Sequence, residues 1–418
     1  MSDIFLAFSF GGMLSYVFYI LVALVVLMIM ITIHEFGHFI AGKLLGFKIN
    51  EFAIGFGKAL WSKKTKDGID VSVRLIPLGG YCAFDGEDLD SSDPRAFNNQ
   101  KPWKRLIVLF MGPFFNFLSA ILFSFVLLMT AGYSDLVQIT KVDQHSPNYS
   151  VIQEGDIIYA VDGVETNFVN DKYFITMIQD YNVGDEVTLT IKRDGEFIDV
   201  TIQKGFVVSS EIIESQYVYD IDGKSYIIDN TNGFKLVNVN DPTDFSSMSV
   251  IVNSTASYAF VVNGMSYIYD TTTNTISCQS IGINLKNYTY NFGEALVNCV
   301  PFTVEWGWKV LVLLWQLITG QLALSGIGGP ITTIGTIASQ TQANWLNLLI
   351  LFPLLSVNLA VFNLIPFPAL DGARMVFVII EWIRRKPIDR KIEGYIHTAG
   401  LMFLFAFVIF VDFFNLLT

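Results

Sequence analysis

The stretch Leu14–Gly42, LSYVFYILVALVVLMIMITIHEFGHFIAG, determines the fold class of this chain. Its first part, Leu14–Ile33, contains no charged side chain. A helix of about 20 apolar residues crosses the hydrocarbon core of a bilayer. His34, Glu35 and His38 follow at its end, where ionisable groups are costly unless they are paired or bound to a metal. The stretch therefore predicts a membrane-spanning helix with a functional group of side chains at one end.

The composition of the whole chain agrees with a membrane protein. Hydrophobic residues make up 52% of the 418 residues and charged residues only 15%, which disfavours a soluble globule of average composition. Uncharged runs cover Leu106–Ser134 and the whole stretch between Lys309 and Asp371, and a shorter apolar run covers Thr398–Val411. We expect the first run to be a retained helix and not a cleaved leader, because no basic segment precedes it.

The distribution of basic residues predicts the orientation of the chain. Eleven of the 26 Lys and Arg lie in Lys43–Arg105 and six in Ala373–Gly394, whereas nine are spread between Gly132 and Trp345. Short basic segments stay in the cytoplasm, so we expect the first two segments there. The middle region holds 23 of the 38 acidic residues and is expected to be an extracytoplasmic domain. No basic surface in this distribution indicates a nucleic-acid partner.

His34 and His38 form the first part of a candidate metal site. Histidines four residues apart lie on one face of a helix, and a tetrahedral zinc site uses such a pair. Glu35, between them, would lie beside the metal and could act on a water molecule. The HExxH pattern also occurs by chance, but the membrane context favours a functional interpretation. The other histidines, His145 and His397, are expected at the surface or the membrane interface.

A third ligand is expected from Asn363–Met375, NLIPFPALDGARM. Asp371 is the first acidic residue after the long uncharged run. Pro366 and Pro368 interrupt the helix before it, and Gly372 permits an unusual backbone angle directly after it. Irregular backbone at membrane depth is tolerated where it lines a cavity, so this segment is a candidate wall of a polar pocket. The alternative is a helix that ends in a loop at the interface.

These motifs together resemble the site-2 protease family of intramembrane zinc metalloproteases, in its bacterial sigma-factor-regulating branch. HEFGH and Asn363–Gly372 carry the specific part of the resemblance. Looser family-like motifs are IPLGGY (Ile76–Tyr81), MGPFFN (Met111–Asn116) and LSGIGGP (Leu324–Pro330), the last with two extra residues. The resemblance implies zinc bound by His34, His38 and Asp371, with Glu35 as the catalytic acid and base.

The resemblance also implies how a substrate is held. The expected substrates are single-pass transmembrane proteins in the lipid bilayer, whose helix must unwind before its amide can be reached. Asn363 would hydrogen-bond the substrate backbone, although it could instead cap a turn. Gly79 and Gly80 lie in the segment that resembles a membrane-entering β-hairpin, whose strand edge would hold the substrate extended. A plain cytoplasmic hairpin is the alternative.

The middle region resembles a PDZ domain of the bacterial protease type. Val137–Thr166 alternates apolar positions around turns, and Gly155–Ile158 is the most specific part of the resemblance to a PDZ domain. Glu186–Lys204 predicts a hairpin that turns at Asp194–Gly195. A PDZ groove binds peptide ends by strand addition, so a peptide ligand is expected there. The family resemblance also implies a size filter for substrates, and an inert spacer is the alternative.

The segment Gly205–Ser277 lies outside the resemblance and contains a repeat. YVYDIDGKSYIIDNT, which starts at Tyr217, returns as YAFVVNGMSYIYDTT, which starts at Tyr258. Asp222–Gly223 and Asn263–Gly264 are tight-turn dipeptides, so each copy predicts a β-hairpin. Because Ser280–Leu285 resembles a closing PDZ strand, we expect the repeats to form an insert in the PDZ domain. Partner contact and simple shielding are both open as its function.

The predicted fold is a polytopic α-helical membrane protein with four transmembrane helices, both termini outside, and an extracytoplasmic β-rich PDZ domain carrying a β insert. The predicted segments are a first transmembrane helix with HExxH (1–45), a cytoplasmic segment with a membrane-associated β-hairpin (46–104), a second transmembrane helix (105–131), the PDZ domain (132–290) with its insert (206–278), an interfacial or re-entrant helical segment (291–344), a third transmembrane helix with the LDG motif (345–373), a cytoplasmic loop (374–395) and a fourth transmembrane helix (396–418). A further crossing would separate Asp371 from the histidines. The expected location is the bacterial cell membrane, with the active site near the cytoplasmic side.

Two other functions are compatible with these patterns. A membrane scaffold or chaperone that has lost catalysis is one, but His34, Glu35, His38 and Asp371 are all present. A metal transporter could use the same ligands, but transporters usually contain repeated helix bundles and more spans.

The three cysteines do not predict a disulfide framework. Cys278 and Cys299 are expected to be free buried thiols, like most lone cysteines in folded proteins. A disulfide between them outside the membrane is the alternative.

Overall fold

The structure, a computed structural model, describes residues 10–87, 91–144, 146–167, 170, 172–208, 210–213, 216–229, 231, 234–247, 249–250, 257–262, 265–321 and 328–417. The chain divides into two compact units, one formed by Met1–Thr130 with Tyr290–Thr418 and the other by Ala131–Thr289. Three predictions fall outside the described residues: the position of His145, the turn at Asn263–Gly264, and most of the LSGIGGP motif.

The first unit is mainly helical. In chain order, the helices are α1 (Phe10–Leu45), α2 (Pro102–Thr130), α3 (Phe174–Gln179), α4 (Phe292–Ile318), α5 (Pro330–Ala343), α6 (Asn347–Leu364), α7 (Asp371–Arg384) and α8 (Arg390–Leu417), of which only α3 belongs to the second unit. α1 ends just before Gly46, whose φ of +80° suits the left-handed residue that closes many helices. α2 begins at Pro102, whose ring fits the first turn of a helix.

Several helices of the first unit are long and apolar enough to span a bilayer. By length and composition, the candidates within the described residues are Leu14–Leu45, Pro102–Thr130, Phe292–Ile318, Asn347–Leu364 and Arg390–Phe414. The protein is therefore a multi-pass membrane protein that also carries a β-rich unit. α4 lies inside the segment 291–344 that was expected to be interfacial or re-entrant, and it is the least apolar of the five candidates. The count of four spans stays a prediction.

The segment 374–395, expected to be a cytoplasmic loop between two spans, is helical for most of its length, and its cytoplasmic position stays a prediction. α7 continues to Arg384 and α8 begins at Arg390, so only 385–389 lie between the two helices. α7 has Asp371 in its first turn and Arg384 in its last turn, which complements the helix dipole. It buries Ala373 and Val378 and exposes Ile383, an amphipathic pattern that the cluster of basic residues obscured.

A long β-hairpin connects α1 with α2. Its strands β1 (Ile49–Lys64) and β2 (Asp70–Phe84) pair in antiparallel fashion, with several register shifts. Gly55 and Gly57 lie on β1 with φ near +87° and +82°, a conformation that only glycine adopts without strain, and they fall where the register shifts. The hairpin expected in 46–104 is present, and its association with the membrane stays a prediction.

The second unit is rich in β-strands. In chain order they are β3 (Tyr133–Val142), β4 (Ile157–Val161), β5 (Val164–Glu165), β6 (Glu186–Arg193), β7 (Glu196–Gln203), β8 (Phe206–Val207), β9 (Ser210–Ile213), β10 (Gln216–Ile221), β11 (Lys224–Asp229), β12 (Lys235–Asn238), β13 (Phe245–Ser247), β14 (Ser249–Val250), β15 (Ser257–Val262), β16 (Met265–Asp270), β17 (Thr275–Cys278) and β18 (Ile283–Tyr288). One sheet has the order β18-β3-β4-β6-β7, with β5 beside β4. β18, at the expected closing position, pairs with β3 although nearly the whole sequence of the second unit separates the two strands. The assignment of this sheet to the PDZ class stays a prediction.

The insert forms two five-stranded sheets, ordered β13-β12-β11-β10-β9 and β14-β15-β16-β17-β8. The hairpins β10–β11 and β15–β16 begin at Gln216 and Ser257, which are equivalent positions of the sequence repeat. Equivalent residues of the two copies, Tyr219 with Phe260 and Tyr226 with Tyr267, share one buried core. The fifth strand of the second sheet, β8, comes from before the first repeat.

The two ends of the insert meet. Gly205 has φ +65°, and a Cβ at this position would lie 2.0 Å from the carbonyl oxygen of Cys278. The insert therefore leaves the sheet β18-β3-β4-β6-β7 after Gly205 and returns to it after Cys278, at nearly one point. Cys278 is a buried free thiol, and Cys299 of α4 is also free and buried, as expected.

Candidate metal centre

His34 and His38 lie one turn apart on α1 and meet Asp371, the first residue of α7. The two Nε2 atoms are 3.1 Å apart. Oδ2 of Asp371 lies 3.0 Å from Nε2 of His34 and 3.3 Å from Nε2 of His38. Both histidines are buried, with 7% of each residue exposed. The fold thus joins two histidines of the first helix to an aspartate that lies far away in sequence.

These three side chains fit a tetrahedral zinc ion. Each offers one ligand atom, and the three atoms lie within 4.8 Å of one another. Imidazole nitrogen and carboxylate oxygen bind zinc at about 2.0–2.2 Å, so neighbouring ligand atoms of a tetrahedron lie about 3.4 Å apart. The separations between these atoms are slightly shorter, so a small outward shift admits the ion. Three protein ligands with one open position are typical of catalytic zinc sites.

The other ring nitrogen of each histidine faces α2. Nδ1 of His38 donates to the carbonyl oxygen of Val108 at 2.7 Å, which leaves Nε2 free to bind a metal. Nδ1 of His34 lies 3.3 Å from Nδ2 of Asn116. Outer partners of this kind fix the orientation of metal-binding imidazoles.

Glu35 lies on α1 between the histidines, and the hairpin holds its carboxylate. Oε2 accepts a hydrogen bond of 3.0 Å from the backbone N–H of Cys82 in β2. Glu35, Asp371 and His38 line a common cavity of about 370 Å³, together with Tyr81. Burial and a hydrogen bond to a neighbouring carboxylate raise the pKa of Tyr81, so this phenol stays protonated at neutral pH. Because Tyr81 lies on β2, a β-strand forms one wall of the cavity.

A short irregular segment between α6 and α7 positions Asp371. The positive φ in this segment, +89°, belongs to Ala369 and not to Gly372, so the expected reason for a glycine after the aspartate is wrong. Gly372 is required for space instead, because a Cβ there would lie 2.4 Å from the carbonyl oxygen of Ile365. The backbone N–H of Ala369 donates to Nδ1 of His397 in α8 at 3.0 Å.

Two contacts that the sequence did not suggest hold the segment between α6 and α7 and the start of α7 in place. His397, expected at the surface or interface, is half-buried and holds the loop before Asp371 through Ala369. Arg374, one turn after Asp371, forms an ion pair with Glu87, which follows β2. Both members of this ion pair line the same cavity as the candidate ligands. The ion pair therefore connects the hairpin to the helix that carries Asp371.

The residues expected to bind substrate occupy different surroundings. Gly80 lies on β2, opposite Ile54 of β1, and Gly79 precedes it with φ +130°. Both are close in sequence to Tyr81, which lines the cavity. Asn363 lies on the last turn of α6, is half-buried, and is not among the described residues that line the cavity.

Asn116 is a neighbour of the candidate ligands that sequence reasoning did not assign. It is fully buried on α2, one turn after Gly112. The amide is the only Asn or Gln side chain in the uncharged run Leu106–Ser134, and this was the signal that could have identified it. The backbone N–H of Cys82 left no such signal, because every residue except proline carries one.

The site combines two helical histidines, a carboxylate at a break between helices and an adjacent glutamate, on helices of membrane length. These features define a membrane-embedded metallohydrolase. The family model described as Peptidase family M50 matches residues 22–407. The chain therefore belongs to peptidase family M50, and it is an intramembrane zinc metalloprotease.

Curated relatives match over nearly their whole length. A protein of Pasteurella multocida whose name describes a zinc metalloprotease is 28% identical over 440 residues, covering 94% of this chain and 98% of the relative. Protease RseP of Yersinia pestis is 25% identical over 466 residues, covering 96% and 99%. The regulator of sigma E protease of Haemophilus influenzae is 24% identical over 439 residues, covering 94% and 98%.

Proposed function

We propose that His34, His38 and Asp371 bind the zinc ion of this protease and that Glu35 is its catalytic acid and base. The supporting observation is the convergence of the two Nε2 atoms and Oδ2 of Asp371 within 3.0–3.3 Å of one another. Glu35 lines the same cavity, which agrees with the role of the glutamate in the HExxH pattern. The reaction is hydrolysis of a peptide bond in or near a transmembrane segment.

The chain's own residues supply the proton transfers. His34, His38 and Asp371 would hold a zinc ion, which when bound would supply Lewis-acid chemistry at the peptide carbonyl and at a water molecule. Glu35 takes a proton from the attacking water as the new C–O bond forms. It then delivers this proton to the amine nitrogen as the C–N bond breaks. The N–H of Cys82 keeps the carboxylate in place during both transfers, because it contacts Oε2.

The substrate is proposed to bind as an added strand along β2. The carbonyl groups of a substrate helix are hydrogen-bonded and shielded, so the helix must unwind before hydrolysis. Gly79 and Gly80 lie on β2 close in sequence to Cys82, whose N–H contacts the Glu35 carboxylate, and they would pair with the unwound segment. Asn363 is proposed to hydrogen-bond the substrate backbone from α6.

We further propose the orientation and the substrate class. The basic segments of the sequence support an orientation with the PDZ domain and its insert outside and the metal centre near the cytoplasmic face. A four-span arrangement would keep Asp371 level with His34 and His38. The matched relatives are bacterial, and one is named a regulator of sigma E protease. By extension, the substrates are single-pass proteins of the bacterial cell membrane, with anti-sigma factors and signal-peptide remnants as the leading classes. The PDZ groove would bind a peptide or exclude untrimmed substrates.

The variant Glu35→Gln tests the proposed roles. It should bind zinc like the wild type and lose at least about 10²-fold in cleavage rate, because general acid–base catalysis contributes about 10²–10⁴-fold. The exposed Glu154 of the second unit provides a matched control, and Glu154→Gln should cleave normally. Proteomics of membranes from cells carrying Glu35→Gln should reveal accumulated uncut substrates. Normal cleavage by Glu35→Gln would remove Glu35 from the mechanism, and would favour a different base.

A further inference from the structure

Asn116 has an unusual environment for a polar side chain. It is 0% exposed and lies in the uncharged part of α2. Its Oδ1 accepts no hydrogen bond from any residue in the described part of the chain, whereas its Nδ2 lies 3.3 Å from Nδ1 of His34. A buried acceptor without a donor loses its hydration and gains nothing in return, so a role that compensates this cost is expected.

The chemistry of His34 supplies that role. When Nε2 of a neutral imidazole binds a metal through its lone pair, the ring proton is on Nδ1. This N–H requires an acceptor. The carbonyl of Val108 serves His38 in this way, and the amide of Asn116 is the group that reaches the equivalent atom of His34. An amide presents oxygen or nitrogen to the same place by a half-turn about its last bond, because its two ends have nearly the same shape.

We infer that Asn116 is a positioning residue whose Oδ1 accepts the Nδ1–H of His34 and so directs Nε2 towards the metal. This inference rests on the proposed metal centre. It also explains the spacing in MGPFFN. A Cβ on Gly112 would lie 2.4 Å from Nε2 of His38 and 2.9 Å from Cε1 of His34, so the glycine lets α2 approach the rings. One turn later, Asn116 faces the outer nitrogen of His34.

Zinc affinity of the purified full-length protein in detergent, measured by competition with a chelator, tests the inference without using activity. Asn116→Leu keeps the volume but removes the acceptor, and it should weaken zinc binding about 10- to 100-fold. Asn116→Asp keeps an acceptor and should bind zinc with nearly the affinity of the wild type. Ser119, buried on the same helix and bonded to the backbone carbonyl of Asn116, provides the control: Ser119→Ala should retain wild-type affinity.

The outcomes separate this inference from the proposed metal centre. Wild-type affinity in Asn116→Leu would overturn it. If Asn116→Asp loses as much affinity as Asn116→Leu, packing and not an acceptor is required, which also overturns it. Should Asn116→Leu fail to fold, the aspartate variant alone decides. His38→Ala in the same assay tests the centre itself: retained zinc there would refute the proposed ligands, whichever result Asn116 gives.

Discussion

Gly112 lies where α2 passes the two imidazoles, and there is no space for a side chain. A methyl group at this position would collide with Nε2 of His38, the atom proposed to bind zinc. Gly37 on α1 is equally restricted, because a Cβ there would lie 2.1 Å from the carbonyl oxygen of Met111. At the scale of residues, the candidate metal centre depends on two glycines as well as on the candidate ligands.

We predict that Gly112→Ala displaces the imidazoles, destabilises the protein by about 1–3 kcal/mol through overpacking, and weakens zinc binding. Gly335 is the matched control, because it lies within α5 and a Cβ there would meet nothing within 4 Å. Gly335→Ala should be neutral or slightly stabilising, since alanine favours a helix. Thermal unfolding in detergent and zinc content measure both effects. Equal behaviour of the two variants would contradict the packing argument.

At the scale of elements, Asp412 connects α8 to the start of α5. Its carboxylate is buried, with 4% of the residue exposed. It accepts hydrogen bonds from the backbone N–H groups of Ile331 and Thr332, each at 3.1 Å, and from the Thr332 hydroxyl at 2.7 Å. The first N–H groups of a helix have no partner within the helix, so a carboxylate from another helix satisfies them. A charge inside an apolar helix thus has a structural explanation.

Replacement of Asp412 should loosen this connection. Asp412→Asn keeps the shape of the side chain, but it removes the charge and places an N–H₂ group among hydrogen-bond donors. We therefore expect the free energy of unfolding to fall by about 1–3 kcal/mol. Thr332→Val removes only the hydrogen bond from the hydroxyl and should lower the free energy of unfolding by less, about 0.5–1.5 kcal/mol. Unfolding midpoints of the two variants give the comparison. A greater loss in Thr332→Val than in Asp412→Asn would show that the carboxylate does not carry the interaction.

At the scale of the whole molecule, the proposed mechanism depends on which side of the membrane each segment occupies. The basic residues at 384–386 and the acidic second unit predict opposite sides. Both regions offer exposed positions for labelling, Glu196 in the second unit and Lys386 between α7 and α8.

A cysteine at Glu196 should react with an impermeant thiol reagent in intact cells, whereas a cysteine at Lys386 should react only after lysis. Both variants are made in a protein in which Cys82, Cys278 and Cys299 are replaced. Labelling at Lys386 in sealed cells would place α7 and the candidate ligand Asp371 near the outer face. The proposed orientation would then be wrong, although the zinc centre itself would be unaffected.

The candidate site residues could be selected from the sequence because ionisable side chains are scarce in the membrane part of this chain, and their catalytic roles stay a proposal. His34, Glu35 and His38 stood out against an apolar run, and Asp371 ended another one. The contacts that hold them were harder to predict. Cys82 contacts Glu35 through its backbone N–H. His397 accepts a hydrogen bond from the backbone of Ala369, although α7 separates the two residues in sequence. Neither kind of contact has a sequence pattern, because each depends on tertiary packing.

Elements could be predicted where their contacts are local. The hairpins of the repeat followed from turn dipeptides between β-rich runs. α7 was missed because its basic residues suggested a loop. The place of β8 could not be predicted either, because it pairs with β17 across the whole length of both repeats, and so short a strand has no pattern of its own.

The meeting of Gly205 with Cys278 has a practical consequence for protein engineering. Because the insert begins and ends at one point, we expect that a short linker between Gly205 and the residue after Cys278 could replace it while leaving the sheet β18-β3-β4-β6-β7 in place. Half of it cannot be transplanted, since β8 precedes the first repeat but completes the sheet of the second. A graft into another host must therefore carry 206–278 as one cassette, and any recipient needs only a single surface loop whose ends are already in contact.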